Sequence, residues 1–453
     1  MGELLEFTKY TTLSNWSVSH LLESQFGYNK GFKLEKIGTI LKRNKTQILV
    51  DNNTEYKRVK IRLYNKGVFL RDREYGKNIG TKKQFIIKKG QFLLSKIDAR
   101  NGAFGLATDE VDGAIITADF FAYDINKIKI EPYFLLLITT TEKFQQFAQS
   151  ASSGTTGRQR INESKFLDVK IPLPSLEIQQ KIVKKYQDKL ELSILQEQQA
   201  KEKEKEIEQF LYTKLGINFV TNPIYNILDF INYKKLSSWN YRDLFGSILI
   251  SSNSFDTIKL NERSYYFIDL FRGKSPKYDI NSKNTILNQK CNRWNNLELQ
   301  YSKHIEDNWI AKIDKKFFTK EDDIIINSTG DGTIGRATHI TKKFENLLYD
   351  SHMLLLRVNK LNINPLYLTY FINSSLGQKQ IENLKSAIAT KQTELGINNL
   401  KNIEFVLPPI KIQNEIALHI DNKKNEIKEL KEKAVKNKCS ALFEFEKEIF
   451  NEA

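Results

Sequence analysis

The sequence predicts an α+β protein: two tandem-repeated α/β domains separated by two long antiparallel helices that pair as a coiled-coil spacer, with pseudo-two-fold symmetry. Three observations predict it. Matching segments recur in fixed order, strand-like runs fill the first part of each half, and each half ends in about 40 residues without Pro or Gly. At 453 residues the chain is too long for one hydrophobic core. The implied division is residues 1–174 for the first domain, 175–216 for its helix, 217–407 for the second domain and 408–453 for the second helix.

The repeat is read from five matches. SNWSVSHLL (Ser14 to Leu22) is echoed by SSWNYRDLF (Ser237 to Phe245), which sets Trp16 over Trp239 at an offset of 223, and Phe32 lies over Phe255 at the same offset. NGAFG (Asn101 to Gly105) matches DGTIG (Asp331 to Gly335) at 230, and EPYFLLL matches NPLYLTY through Pro132 and Pro365 at 233. LPSLEIQQKI (Leu173 to Ile182) matches LPPIKIQNEI (Leu407 to Ile416) at 234. The one-way drift is what small loop insertions in the second half would produce.

Each half then reads the same way. Strand-like segments are VKIRLY, QFIIKKGQFLL and GAIITADFFAY in the first half, and SYYFIDLF, DDIIINS and HMLLLRV in the second. A helix follows Pro132 and Pro365, where the ring suits a first turn. A polar loop, a short strand and a Leu-Pro stop lead into the long helix. The first long helix runs from about Leu176 to Leu215 and stops at Gly216. Its apolar positions Ile178, Ile182, Tyr186, Leu190 and Ile194 step by four, break at KEKEKE (Lys201 to Glu206) and resume at Ile207, Leu211 and Leu215. The second carries Ile412, Ile416, Ile420, Ile427, Leu430, Ala434, Ala441 and Phe445. These are seams for a partner or for one another. Mutual antiparallel packing is the economical arrangement; separate surface helices or an oligomerising coiled coil are the alternatives.

Composition narrows the function. Lys and Arg number 70 against 54 Asp and Glu, a net charge of +16, so polyanions are the first partners to consider, nucleic acid ahead of a membrane surface. A solvated basic surface is the bland alternative. The two cysteines, Cys291 and Cys439, form no framework, and a cytoplasmic, reducing compartment is the expectation. The five histidines (His20, His304, His339, His352, His419) show no metal-binding spacing. The longest apolar run, Tyr133 to Ile138, falls far short of the ~20 residues of a membrane span. MGELLEFTKY has no apolar signal core.

No catalytic motif is complete. GDGTIG (Gly330 to Gly335) matches GxGxxG formally, but RATHIT follows it where a dinucleotide fold needs a helix. A tight turn with positive φ at Gly102/Gly332 and Gly105/Gly335 explains both copies of the motif. NPIY (Asn222 to Tyr225) lacks the second proline of the NPPY methyltransferase motif, and RGKS (Arg272 to Ser275) lacks the upstream glycine of a phosphate loop.

Charge distribution says more. Between Lys57 and Arg100 stand 14 Lys and Arg against Asp72, Glu74 and Asp98, interleaved with Tyr64, Phe69, Tyr75, Phe85 and Phe92. Phosphate neutralisation and base-edge reading need this chemistry. The first-half candidates are Lys57, Arg58, Arg62, Arg71, Arg73, Lys77, Lys82, Lys83, Lys96, Arg100 and Asn101. The polar loop SSGTTGRQR adds Thr155, Thr156, Arg158 and Arg160. The second half offers Arg272, Lys274, Lys277 and Arg293, beside Lys290 and Trp294, and its polar loop SAIATKQT offers Lys391.

The order of domain, LPLPSLEIQQKI helix, domain and LPPIKIQNEI helix, together with KKQFIIKKGQFLLSKIDARNGAFG and SGTTGRQRIN, resembles the specificity subunit of type I restriction-modification systems across essentially the whole chain. The resemblance implies two target-recognition domains, each reading one part of a bipartite, asymmetric site in double-stranded DNA. It implies paired helices that set the spacing and dock two methyltransferase subunits, with restriction (translocase-nuclease) subunits as further partners. It implies no cofactor on this chain; S-adenosylmethionine, ATP and Mg belong on the partners. One departure stands out: STGDGTIG replaces DARNGAFG, so Arg100 has no basic counterpart and Asp331 stands for Asn101. The alternatives are a stand-alone DNA methyltransferase or nuclease with an unrecognised site, and an orphan DNA-binding scaffold.

Overall fold

The computed structural model describes residues 28–150, 152–153, 160–217, 250, 252–260, 266–330, 332–387 and 393–450. The Trp16 and Trp239 repeat, NPIY and Asp331 lie outside them. The chain divides into two compact units, Met1–Gln196 with Glu432–Ala453, and Glu197–Lys431.

The first unit contains β1 (Leu34–Lys36), β2 (Leu41–Arg43), β3 (Gln47–Leu49), β4 (Glu55–Arg62), β5 (Gly67–Tyr75), β6 (Lys83–Ile86) and β7 (Phe92–Ser95). It continues with β8 (Phe104–Leu106), β9 (Ile115–Ile116), β10 (Phe120–Ile125), β11 (Ser152–Ser153), β12 (Arg160–Ile161) and β13 (Lys170–Pro172). Its short helices are α1 (Pro132–Thr140), α2 (Glu142–Ser150) and α3 (Glu163–Asp168), and α4 (Leu176–Lys214) begins here. A four-stranded sheet in the order β2-β10-β7-β8 forms the centre, and a five-stranded sheet, β3-β6-β9-β4-β5, lies against it. The central strand is buried on both faces, which is why QFLLS reads as a continuous apolar run. Phe92 and Leu94 join the core under α1–α3, while Leu93 joins Val59, Ile61 and Val68 of the second sheet.

The second unit repeats this centre with β14 (Thr257–Lys259), β15 (Phe267–Arg272), β16 (Thr285–Leu287), β17 (Lys303–His304), β18 (Ile324–Asn327) and β19 (Ala337–His339). β20 (Leu348–Tyr349), β21 (Met353–Val358), β22 (Ser386–Ala387), β23 (Thr393–Glu394) and β24 (Glu404–Val406) follow. Its helices are α5 (Asp307–Ile310), α6 (Pro365–Asn373), α7 (Ser375–Leu384) and α8 (Ile397–Leu400), before α9 (Ile410–Ile449). The sheet β15-β21-β18-β19 has the connectivity of β2-β10-β7-β8, and the strand β19 over ATH removes the helix that a dinucleotide site requires. The second layer shrinks to three strands, β17-β16-β20.

The two long helices run antiparallel in each unit. In the first unit Lys185 pairs with Glu448 at 2.5 Å, and the Ser193 hydroxyl donates to the Ala434 carbonyl. In the second, Lys203 pairs with Glu426 at 2.6 Å and Lys214 with Glu415 at 2.7 Å. Of the expected seam, Ile182, Ile416, Ile420 and Ile427 are buried, and Tyr186, Leu190, Ile412 and Leu430 are half-buried. Ile178 and Ile194 depart from the expected pairing of the two helices: they remain 41% and 55% exposed. A step of four over-rotates an α-helix by about 40° each time, so its ends leave the seam. The buried face instead follows a seven-residue step through Gln179, Tyr186, Ser193, Ala200 and Ile207, and through Gln413, Ile420, Ile427, Ala434 and Ala441.

Gln179 and Gln413 are fully buried and do the same work. The Gln179 amide donates to Lys129 O and Pro174 O and accepts from Glu131 N–H; Gln413 donates to Asn362 O and Pro408 O and accepts from Asn364 N–H. The Ile-Gln junction thus ties the Leu-Pro stop to the loop preceding α1 or α6. Glu131 and Asn364 also cap those helices.

The glycine turns follow the expectation at Gly102 (φ 72°), Gly332 (φ 70°) and Gly335 (φ 81°). Gly105 corrects it: it lies in β8 without positive φ, and a Cβ there would stand 2.7 Å from Val68 Cγ2. Close packing of β8 on β5, rather than turn geometry, demands that glycine.

Candidate nucleic-acid interface

The long β4–β5 hairpin supplies most first-half candidates, and the structure sorts them by partner. Arg58 grips Asp72 through two bonds of 2.6 and 2.8 Å, and this bond holds the Asp72 carboxyl below its usual range. Arg71 lies 3.3 Å from Asp72, Arg73 lies 3.8 Å from Glu55, and Lys57 donates to Asp112 O. Lys82 bonds Asn52 and Gly76 O, fixing a turn. Arg58 and Lys82 are thus held within the fold, whereas Arg71 and Arg73 keep more than half of their side-chain surface exposed. Arg62 instead lies 4.4 Å over the Phe69 ring, and Lys77 and Lys83 are exposed.

Lys96 and Arg160 meet beside the central sheet. The Lys96 ammonium stands 4.3 Å over Phe121, whose ring also carries Arg43 at 3.7 Å. Burial, then the charge of Arg43, lowers the Lys96 pKa. Arg160 pairs with Asp119 at 3.1 Å, and Arg43 with Glu163 at 2.8 Å. Arg43 belongs to this cluster too; in sequence it lies in the short segment LKRNK, ahead of the Lys57 to Arg100 run, and only the fold brings it beside Lys96. Arg100 and Asn101 sit half-buried in the turn before Gly102, where the Asn101 carbonyl accepts from Tyr64 N–H. Thr155, Thr156, Arg158 and Lys391 lie outside the described residues.

In the second unit Arg272 pairs with Glu394 and donates to Ser351 O, at the edge of an open hollow of ≈ 490 Å³ lined by Gly396, Ile397, Asn398 and Asn399. Lys274 lies 4.5 Å over Phe317, Lys277 is exposed, and Arg293 pairs with Glu298 and covers Tyr301. Arg336 escaped the sequence reading although it follows GDGTIG directly. It lies 5.5 Å over Trp294 and is held half-buried by Gly332 O, with its pKa lowered by burial and by Arg293. The lysine pairs Lys315–Lys316 and Lys342–Lys343 also lie outside the sequence candidates; each opens a short 3-10 turn.

Hydrogen bonds set the two clusters in register. Lys96 N–H donates to Asp119 O, and its carbonyl accepts from Ile161; Ser328 does the same with His352 and Leu395. Lys96, Asp119 and Arg160 therefore stand where Ser328, His352 and Glu394 stand in the second unit. Arg272 reaches in to neutralise Glu394, and Thr329 bonds the His352 ring. The backbone frame is thus constant while the charges it carries are exchanged. Among the described residues no group of three His, Cys, Asp or Glu could hold a metal, and no helix is long and apolar enough to cross a membrane.

Comparisons with known proteins agree with this frame. A 84-residue stretch, 18% of the chain, is 36% identical to the putative type I restriction enzyme MjaX specificity subunit of Methanocaldococcus jannaschii, of which it spans only 20%. Among solved structures the chain is similar in fold to the HsdS subunit from Thermoanaerobacter tengcongensis (TM-score 0.50, 16% identity, 95% of this chain and 100% of that one). It is also similar to a chain from a structural study of complex assembly and conformational transition of the type I R-M system (TM-score 0.57, 15% identity, 93% and 97% covered). Residues 29–209 and 258–437 each match the type I restriction modification DNA specificity domain. With most of its length covered by two copies of that domain, the chain belongs to the family of type I restriction-modification DNA specificity proteins.

Proposed function

We propose that each unit reads one part of a bipartite, asymmetric site in double-stranded DNA, and that the long helices hold the two parts at a set spacing and dock two methyltransferase subunits. Restriction subunits join the same cytoplasmic complex. S-adenosylmethionine, ATP and Mg act on those partners. One observation carries this reading: equivalent backbone positions bear Lys96, Asp119 and Arg160 in one unit and Ser328, His352 and Glu394 in the other. A scaffold that served only to bind DNA non-specifically would gain nothing from such exchange, since phosphate contact needs cations in both units.

The test is to map methylated adenines in DNA from cells expressing the complex with and without this chain. The expected result is methylation at a two-part motif that disappears without it. Methylation by the purified chain alone with S-adenosylmethionine, or a motif that persists in its absence, overturns the reading. Adding one helical turn within Lys201 to Glu206 should alter the gap between the two parts.

A further inference from the structure

Each unit carries a tight four-residue turn with an aromatic residue at its tip. In the first, β4 and β5 pair Arg62 with Gly67, and the loop between them places Tyr64 (φ 59°) and Asn65 (φ 56°) in the left-handed region. In the second, Asn292 bridges Leu297, and Trp294 (φ 56°) and Asn295 (φ 63°) take the same conformation. The offset is 230 for every one of these positions, the offset of NGAFG and DGTIG. Around the tips the halves have diverged: LYNK stands against RWNN, and the long strands of the first hairpin are reduced to an isolated bridge in the second. The aromatic-Asn pair survives that divergence.

Local energetics do not favour it. Two consecutive positive-φ positions favour Asn-Gly or Asp-Gly, and a bulky residue in the first position is strained. Tyr64 gains little burial in return, at 71% exposed, and Trp294 keeps 39% of its surface exposed with Arg336 lying 5.5 Å over its ring. Both turns are nevertheless fixed. Tyr64 and Asn65 donate through their backbone to Asn101 O and Gly102 O, at 2.8 Å each, and Asn295 donates to Ala337 O at 3.1 Å. The surroundings are cationic: Arg62 and Lys66 flank Tyr64, and Arg293 and Arg336 flank Trp294. Strain held rigidly at an exposed position points to contact with something absent from the chain. A cationic rim around an aromatic tip suits a ring pressed onto base edges while its neighbours neutralise phosphates.

We infer that Tyr64 and Trp294 are specificity-determining residues, each ring contacting bases at one position in the part of the DNA site read by its own unit. This rests on the reading proposed above. Asn suits the left-handed turn better than either ring, so Tyr64→Asn and Trp294→Asn remove the contact without endangering the fold.

The experiment challenges the full-length chain with a pool of randomised DNA duplexes and sequences the bound fraction. The wild-type chain should enrich a two-part motif. Tyr64→Asn should lose preference on the order of tenfold at one or two adjacent positions of one part only, and Trp294→Asn likewise in the other part, with unfolding temperatures at or above wild type. Tyr64→Phe should retain the preference. Variants that enrich the wild-type motif unchanged overturn the inference while leaving the function intact. So does a loss spread over both parts, or one accompanied by a lower unfolding temperature. A wild-type chain that enriches no motif overturns the function reading, and the inference falls with it.

Discussion

The two units build one frame and dress it with opposite chemistry. Between β7 and β10, Gln91 accepts from Lys88 N–H and donates to Asp124 at 2.7 Å. At the equivalent place between β18 and β21, Asp323 accepts from Lys320 N–H and grips Arg357 through two bonds of 2.7 Å. The geometry is constant: a side chain ties down a turn and reaches across to the next strand. The charge is exchanged, a neutral amide beside a carboxylate in one unit and a buried ion pair in the other. Exchange is cheap where the backbone supplies the positioning, because only local complementarity must be kept. The outer layer is freer still, five strands in one unit and three in the other.

Breaking the two pairs should give unequal losses. Arg357→Met strands the Asp323 carboxylate, 1% exposed, and should destabilise the second unit by about 3–5 kcal/mol. Gln91→Leu leaves one N–H and an exposed-side carboxylate without their bonds, about 1–2 kcal/mol. Hydrogen exchange of β18 and β21 amides against those of β7 and β10 reads each unit separately. Equal losses would refute the distinction drawn between the pairs. A neutral substitute, Asp323→Gln with Arg357→Asn, should recover most of the larger loss.

The buried glutamines should behave alike instead. Gln179→Ala and Gln413→Ala each orphan two carbonyls and one N–H and leave a cavity, for about 3 kcal/mol apiece. Amide exchange in α1 and α6 should rise to the same extent in the two variants. An effect confined to one would show that the junctions are not equivalent.

One source of pH dependence lies in the second unit, as Glu131 and Glu446 are sources in the first. Burial raises the Asp350 carboxyl pKa above its usual value, against the smaller opposing effect of the His352 N–H bond. The folded state therefore holds this proton more tightly than the unfolded chain. Its contribution is present below the ordinary carboxylate pKa and is lost as pH rises through the raised one. Asp350→Asn keeps an acceptor for His352 N–H and should flatten the acid side of the stability profile. Urea midpoints across that range, unchanged in slope with pH, would exclude Asp350 as the source.

Much of the frame was legible because it rests on burial. FLLS and IIIN read as strands because both faces are covered, and Pro132, Pro365 and the two Leu-Pro stops mark helix starts through fixed φ. The seam was read less well, since spacing by four drifts around the helix and the polar Gln179 and Gln413 carry no hydrophobic signal. The site was harder. Arg58 and Lys82 look as basic as Lys77 and Lys83, yet the first two are occupied by Asp72, Glu74, Asn52 and Gly76 across strand pairs and turns that sequence does not show. Arg43 and Arg336 join clusters through tertiary contact alone.

That sorting yields the smallest effect. Lys77, Lys83 and Lys277 are exposed, with no ion pair among the described residues, whereas Arg160 sits at a position exchanged between the units. Exposed lysines of this kind contact phosphates without reading bases. Each substitution to Ala should therefore weaken DNA binding to the same degree on every sequence and lower the slope of log affinity against log salt by about one. Arg160→Ala should do more than that, changing which DNA sequences are preferred. A sequence-dependent change from the lysines, or a uniform one from Arg160, would dissolve the division between neutralising charges and reading charges.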